Sequence, residues 1–296
     1  MDIILNTAGS PAMLFIFSAA LCSVLVSIVL KVAKHKGLSP IQMIAWNYAA
    51  AATLCFVWFK PDFQHVSMTQ TPWLLIIALG VLLPSVFLLL SKALTTAGIL
   101  RTEIAQRLSI ILSLTAAYFI FQEQFSSLKI VGVVLGLISV LLIVFSHRGH
   151  ASQNKAGMAY LLLVWLGYAT IDVLLKHTTG LGLQFAVALN LMFICAFVLS
   201  LLYLFIKDQH VGQSANIAAG LALGVLNFAN IALYVKAHML LAASPAIVFA
   251  GMNILVVVLG VVAGVVLFKE RLQATTTLGL LLGIISVMCL AFAMGF

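Results

Sequence analysis

Ten apolar stretches, joined by short polar or Gly- and Pro-containing segments, occupy nearly the whole of this 296-residue chain. A helix needs about 20 mainly apolar residues to cross the hydrocarbon core of a bilayer. It also satisfies its backbone hydrogen bonds within the segment, as hydrocarbon requires. The pattern therefore predicts an all-α membrane protein with ten transmembrane helices. They are expected near residues 12–33, 40–59, 73–94, 98–120, 127–147, 156–176, 183–206, 216–237, 243–267 and 274–295.

The composition leaves no material for a soluble domain. Hydrophobic residues make up 64% of the chain and charged residues 7%, whereas soluble domains carry about 25% charged residues. The formal net charge of +8 comes from Lys and Arg that stand singly, mostly at the ends of apolar stretches, where long side chains reach the membrane surface. We therefore predict that the protein lies in a lipid bilayer and does not bind nucleic acid.

Neither the cysteines nor the histidines have the spacing of a metal or redox site. The four cysteines fall within apolar stretches and form no CxxC pair, and the seven histidines lie in or beside connections without an HExxH pair. Structural and catalytic metal sites need such clusters of ligands. We expect no cofactor, no metal and no catalytic residue.

The chain contains a weak internal repeat. The segment Phe121-Gln-Glu123 and the helix after it align with Phe268-Lys-Glu270 and its following helix at a constant offset of 147. The informative matches in these two helices are those of Gly132, Gly136 and Ser139 with Gly279, Gly283 and Ser286, and at an offset of 145 Lys31 also meets Lys176. The repeat predicts two five-helix units, 1–150 and 151–296. Since five crossings are an odd number, the second unit would be inverted, an architecture common among secondary transporters.

These features resemble the EamA type of the drug/metabolite transporter superfamily. The resemblance rests on ten short helices in two halves, each half having a Glu just before its last helix, which carries a Gly-x-x-x-Gly pattern. It implies a 4+1 arrangement, in which four helices of each half surround a central cavity and the fifth packs outside. It also implies movement of small organic metabolites by alternating access without ATP hydrolysis. The first half departs from the pattern, with Glu123-Gln-Phe where the second half has Glu270-Arg-Leu.

The fourth predicted helix carries the most unusual residues. A charge at the bilayer centre costs about 2.5–3.5 kcal/mol even on insertion scales, yet Glu103, Gln106 and Arg107 share a face of this helix. Two interpretations stay open. Glu103 and Arg107 could form a self-neutralising pair that holds the helix against a neighbour. Alternatively, Arg107 binds an anionic group of the substrate, with Glu103 as its counter-ion or as a proton-coupling site.

Polar faces of two further helices are candidates for the same cavity. The sixth helix has an aromatic and acidic face, and the eighth an amide and tyrosine face: Trp165, Tyr168 and Asp172, and Asn227, Asn230 and Tyr234. Packing and interhelical hydrogen bonds explain such residues as readily as a ligand does. The first helix carries a further polar stripe formed by Ser23, Ser27 and Lys31. Close helix packing is predicted at three small-residue pairs, Gly132/Gly136, Gly220/Gly224 and Gly279/Gly283.

Two arguments about orientation disagree. Counting the connections, nine Lys and Arg (31, 34, 36, 92, 148, 155, 207, 269, 271) lie on the side opposite the termini and four (60, 129, 176, 236) on the same side. The positive-inside rule would then place the termini outside, whereas the family resemblance implies cytoplasmic termini. We predict cytoplasmic termini in a bacterial-type inner membrane.

The leading hypothesis is a monomeric secondary transporter that exports or exchanges a small amino-acid-like or anionic metabolite, with protons as the coupling ion. The alternatives are a lipid-carrier flippase, a membrane-embedded enzyme acting on lipid-linked substrates, and a subunit without transport activity. An enzyme would need clustered His, Asp or Glu at the membrane surface, and the sequence has no such cluster. A subunit without transport activity would tolerate loss of Arg107.

Overall fold

The computed structural model describes residues 11–64, 66–121, 125–144, 151–207, 213–242 and 245–293, and within them every regular element is a helix. The all-α prediction is thus confirmed for the described residues. Glu123, which belongs to one of the repeated motifs, lies outside them. The helices are α1 (Pro11–His35), α2 (Pro40–Phe59), α3 (Trp73–Thr96), α4 (Ile99–Arg107), α5 (Ser109–Phe121), α6 (Ser127–Val144), α7 (Ala151–Gly180), α8 (Phe185–Lys207), α9 (Ser214–Leu240), α10 (Pro245–Val262, continued by the π-helical turn Ala263–Leu267) and α11 (Ala274–Ala293).

Eight of the described helices are long and apolar enough to cross a membrane: α1, α2, α3, α7, α8, α9, α10 and α11. Many of their large apolar side chains point outward, among them Leu74 at 81% and Ile206 at 85% exposure. Such a surface is stable against acyl chains and not against water. The protein is therefore an integral membrane protein. Helix α6 is shorter than these eight. The fourth predicted helix is divided into two shorter helices, α4 and α5.

The fourth predicted helix is not continuous, because it breaks at Leu108 into α4 and α5. The break contains neither Pro nor Gly, so side chains from elsewhere must compensate for it. The Trp165 indole donates to the Leu108 carbonyl at 2.9 Å, and the Ser109 hydroxyl donates to the Gln106 carbonyl at 2.7 Å. Irregular backbone at membrane depth is tolerated where protein covers it and supplies partners.

Helices of the first half pack mainly against helices of the second. Helix α1 packs on α9, α2 on α8 and α9, α3 on α7 and α8, and α6 on α11. In the last pair the Ser139 hydroxyl donates to the Gly279 carbonyl at 2.5 Å, and the Ser286 hydroxyl donates to the Gly132 carbonyl at 2.6 Å. The donors Ser139 and Ser286 are matched by the offset of 147, and so are the acceptors Gly132 and Gly279, so each hydrogen bond is the counterpart of the other. Residues matched in the sequence therefore make matching contacts here.

The α2–α9 contact depends on the absence of side chains at two glycines of α9. A Cβ at Gly220 would lie 2.6 Å from the Met43 carbonyl oxygen and 2.7 Å from the Trp46 Cβ, and one at Gly224 would lie 2.5 Å from the Asn47 carbonyl oxygen. The atoms in the way belong to the backbone or to its first side-chain carbon, so they cannot move aside alone. The pair therefore brings two backbones into contact, as the small-residue pattern predicts.

Gly220→Ala should lower the unfolding free energy by about 1–3 kcal/mol, because the added methyl overpacks a rigid contact. Gly180→Ala is the matched control, since a Cβ at Gly180 would have no atom within 4 Å. Thermal unfolding of both variants in detergent, followed by tryptophan fluorescence, measures the difference. Equal midpoints would mean that the α2–α9 contact is not as close as described.

Candidate functional site

A cavity of about 690 Å³ lies between the two halves of the chain. Its described lining comes from α2 to α5 and α7 to α10, and none of the described lining residues belongs to α6 or α11. This matches the 4+1 arrangement for the two outer helices. Helix α1 differs from that expectation, because it contributes no described lining residue and instead contacts the charged side chains of α4.

Seven of the nine candidate residues line this one cavity. They come from three separate parts of the chain: Gln106, Arg107, Tyr168, Asp172, Asn227, Asn230 and Tyr234. The rest of the lining is mostly apolar, with Phe87, Phe193 and Phe249 among its aromatic members. An apolar pocket with a few convergent polar groups is the usual form of a small-molecule site.

Arg107 is the last residue of α4 and brings a positive charge to the cavity. Its Nη2 donates a short hydrogen bond to the Ser23 hydroxyl of α1, and its buried Nε has no partner among the described residues. A guanidinium presents five N–H donors in a planar fork that matches a carboxylate. The group is thus anchored on one side and retains donor capacity for a ligand.

Glu103 lies one turn before Arg107 and is 1% exposed. It is outside the cavity lining. The Ser27 hydroxyl of α1 donates a short hydrogen bond to Oε1, while Oε2 has no partner among the described residues. No nitrogen of Arg107 comes within 4.0 Å of the carboxylate, so these two described residues make no direct ion pair. Each is instead held by its own serine on α1.

Asp172 brings a negative charge to the same cavity from α7. Its side chain is exposed, and because it lines the cavity this exposure faces the cavity interior. Oδ2 accepts a hydrogen bond from the Ser113 hydroxyl of α5 at 3.1 Å. The cavity therefore contains one cationic and one anionic side chain, each fixed by a serine of another helix.

The two asparagines of α9 differ in their surroundings. The Asn227 amide donates to Asn47 Oδ1 of α2 at 3.3 Å, which is the interhelical bond that the packing interpretation predicts. Asn230 Oδ1 is buried and has no partner among the described residues. One turn later the Tyr234 ring meets the His238 ring edge-on, with centroids 4.6 Å apart. Asn230 therefore brings to this face a buried acceptor without a partner among the described residues.

Trp165 is placed differently from the other candidates. It is 9% exposed, lies outside the described cavity lining and donates to the Leu108 carbonyl. Trp165 shares a helix face with Asp172, as the spacing predicts. Its indole N–H, however, is hydrogen-bonded to the Leu108 carbonyl at the break between α4 and α5. Its place in the structure is that of a support for α4 and α5.

Several residues of the site were not singled out in the sequence. Tyr48 lines the cavity from α2, and His238 and Met239 line it near the end of α9. Apolar and aromatic residues occur in every predicted helix, so periodicity gives no signal for those that face a cavity. Ser113 is likewise one of many serines, and only its contact with Asp172 distinguishes it.

Ser27→Ala should destabilise the protein by about 1–3 kcal/mol, because it leaves a buried carboxylate without its donor. Ser85→Ala is the matched control, since the exposed Ser85 hydroxyl bonds only to the Val81 carbonyl of its own helix. The midpoints of thermal unfolding in detergent report the two losses. A Ser27→Ala midpoint equal to that of Ser85→Ala would contradict the hydrogen bond to Glu103.

Comparison with known proteins adds three likenesses. The sequence profile of the EamA-like transporter family matches residues 10–145. An uncharacterised protein of Haemophilus influenzae is 41% identical over 282 residues, which cover 93% of this chain and 96% of that protein. A protein of known crystal structure superposes with a TM-score of 0.60 at 16% identity, over 96% of this chain and 99% of the other. At that identity the likeness concerns the fold alone.

Proposed function

Because the chain belongs to the EamA-like transporter family of the drug/metabolite transporter superfamily, we propose that it is a secondary active transporter of small amino-acid-like or anionic metabolites. It exports or exchanges them across a bacterial inner membrane. The observation that carries the proposal is the partly unpaired guanidinium of Arg107 in a cavity that also contains Asp172. Neither charge has a structural ion-pair partner within 4.0 Å among the described residues.

The proposed substrate binds through its charged groups. Its carboxylate displaces or joins the Ser23 hydroxyl at Arg107, and an ammonium group, where there is one, is bound by Asp172. The free Asn230 oxygen accepts a further hydrogen bond. The aromatic lining receives the apolar part of the substrate. A cavity of about 690 Å³ is in the range that small-molecule sites occupy.

The proposed mechanism is rocking of two inverted five-helix repeats, 1–150 and 151–296, about the central cavity. The exchange of hydrogen bonds between α6 and α11 supports such a relation between the repeats. Substrate or protons shift the equilibrium only if they bind the two states with different affinities. We propose that Glu103 is the proton site, since its Oε2 has no partner among the described residues.

The proposed orientation has cytoplasmic termini, and the proposed active unit is a monomer. The count of basic residues opposes this orientation. One of the nine opposing charges, Lys31, is buried and paired with Glu270, with 2.6 Å between Nζ and Oε1. A paired and buried lysine is not a free loop charge, and it therefore carries less weight in the positive-inside rule.

Counterflow in proteoliposomes tests the proposal. Vesicles are loaded with pooled unlabelled amino acids and organic acids, and labelled members are then added singly outside. Accumulation should occur for at least one compound with wild-type protein. No accumulation of any compound by folded wild-type protein would contradict the proposal and favour a lipid-linked substrate.

Arg107→Gln should reduce counterflow of that compound about tenfold or more, because a charged hydrogen bond contributes about 1.5–3 kcal/mol to binding. Arg271→Gln is the matched control, since Arg271 is exposed and outside the described cavity lining. Unfolding midpoints of both variants show whether the fold is kept. Unchanged counterflow by Arg107→Gln would make the arginine a purely structural residue.

Asp172→Asn should separate the two substrate classes. Counterflow of amino acids should fall about tenfold or more, because the variant loses the partner of the ammonium group, while that of simple organic acids should be kept. Asp62→Asn, a substitution in an exposed connection, is the control. Equal losses for both classes would mean that Asp172 does not bind the ammonium group.

A further inference from the structure

The Glu270 carboxylate accepts three hydrogen bonds at a place outside the cavity lining. Its Oε1 accepts hydrogen bonds from Lys31 Nζ at 2.6 Å and from the Ile99 backbone N–H at 2.8 Å, and its Oε2 accepts one from the Leu100 N–H at 3.1 Å. The carboxylate thus joins the end of α1, the beginning of α4 and the segment after α10. Its side chain is 18% exposed and that of Lys31 is 10% exposed.

The backbone around Glu270 is shaped to admit this carboxylate. Gly98 precedes α4 with a φ of +92°, and a Cβ there would lie 2.7 Å from Glu270 Oε2. On the other side, the Glu270 N–H donates to the Gly264 carbonyl at 2.9 Å, which returns the chain to the π-helical turn. Lys31 Nζ also lies 4.2 Å from the centroid of the Phe268 ring. A negative charge at the first N–H groups of a helix is favourable.

One face of α1 therefore holds α4 at both of its ends. Ser23, Ser27 and Lys31 are spaced by four residues, and they contact Arg107, Glu103 and Glu270 respectively. Since Glu270 also caps α4, the short helix that carries the cavity's positive charge is fixed to α1 along its whole length. A displacement of α4 away from α1 must break both serine contacts and, in addition, either the Lys31–Glu270 pair or the bonds from Glu270 to the first N–H groups of α4.

The Lys31–Glu270 cluster lies at the end of α1 that is remote from the open part of the cavity. The exposed lining residues Phe185 and Met239 stand at the beginning of α8 and the end of α9. That end of α9 packs on the beginning of α1, where Ala237 and Ile16 share a core cluster. Lys31 follows Ile16 by fifteen residues, which is about 22 Å along a helix.

We propose that Lys31 and Glu270 form a gate at this end, with the α4 N-terminus as its third member. The inference rests on the proposed function. The gate closes the cavity towards the membrane face at which α1 ends, and it parts when the cavity opens to that face. Lys31 and Glu270 are positioning residues, which act on the substrate through α4 and Arg107. Opening frees α4 from α1 and presents Arg107 to the other side.

Cysteine labelling tests the gate without any substrate. The background replaces Cys22, Cys55, Cys195 and Cys289, and a single cysteine then replaces Ile110, which lines the cavity. An impermeant maleimide is added to either membrane face, in intact cells and in inverted vesicles. Marker cysteines at the exposed positions 36 and 239 identify the faces at which α1 and α9 end.

In wild-type protein, labelling at position 110 should be faster from the face at which α9 ends. Lys31→Met should raise the labelling rate from the opposite face about tenfold, because the partly buried Glu270 carboxylate loses its cation. Glu270→Gln should act in the same direction. Lys34→Met is the matched control, since Lys34 lies one turn later on α1 and is exposed, and its labelling should equal that of wild type.

Lys31→Met leaves Glu270 free to cap α4, so it is the variant expected to keep the fold, as a single size-exclusion peak and retained labelling from the α9 face would show. A rate within twofold of wild type for this folded variant overturns the gate. If no substrate is found in counterflow but Lys31→Met still opens the opposite face, the transport proposal fails and the gate stands. If wild type transports and Lys31→Met changes neither labelling nor transport, the gate fails alone.

Discussion

The need to satisfy charged groups away from water organises the centre of this protein. Glu103 and Arg107 lie one turn apart on α4, but they do not neutralise each other by direct contact. Each is hydrogen-bonded to a serine of α1. This arrangement leaves one oxygen of Glu103 and one nitrogen of Arg107 without partners among the described residues. A buried polar group without a partner is costly, and these are therefore the groups to which we assign the proposed substrate and proton.

The break between α4 and α5 has the same physical basis. At the interruption the Leu108 carbonyl accepts from both the Ile111 N–H and the Trp165 indole. The Gln106 carbonyl accepts from the Ser109 hydroxyl. Arg107 consequently stands at a helix end beside the cavity. The cavity and the break are thus parts of one arrangement.

The sequence predicts the helical class and most helix positions, because apolar stretches of membrane-spanning length leave few alternatives. Helical spacing places Tyr168, Asp172, Asn227, Asn230 and Tyr234 on shared helix faces, and these five residues line the cavity. The candidate Glu103 lies outside the described lining. The position of Trp165 and the break at Leu108 are not predictable in this way, because both depend on a contact between residues 57 positions apart. The stripe Ser23, Ser27 and Lys31 is visible in the sequence, but only the fold pairs each member with a charged residue. In the sequence Glu270 is recognised as the Glu just before the last helix, and its contact with the first N–H groups of α4 follows from the path of a distant segment.

The contact between α6 and α11 has a meaning beyond close packing. Each side donates the same serine hydroxyl to the equivalent glycine carbonyl of the other, and such a self-complementary contact is what two identical subunits form about a two-fold axis. The α6–α11 contact thus has the form of an isologous interface, although both of its sides belong to one polypeptide. Under the proposed two-repeat organisation, a single five-helix unit with this last helix would have a surface suited to pairing with its own copy. Joining two such units in one chain would fix their ratio and let each half change independently.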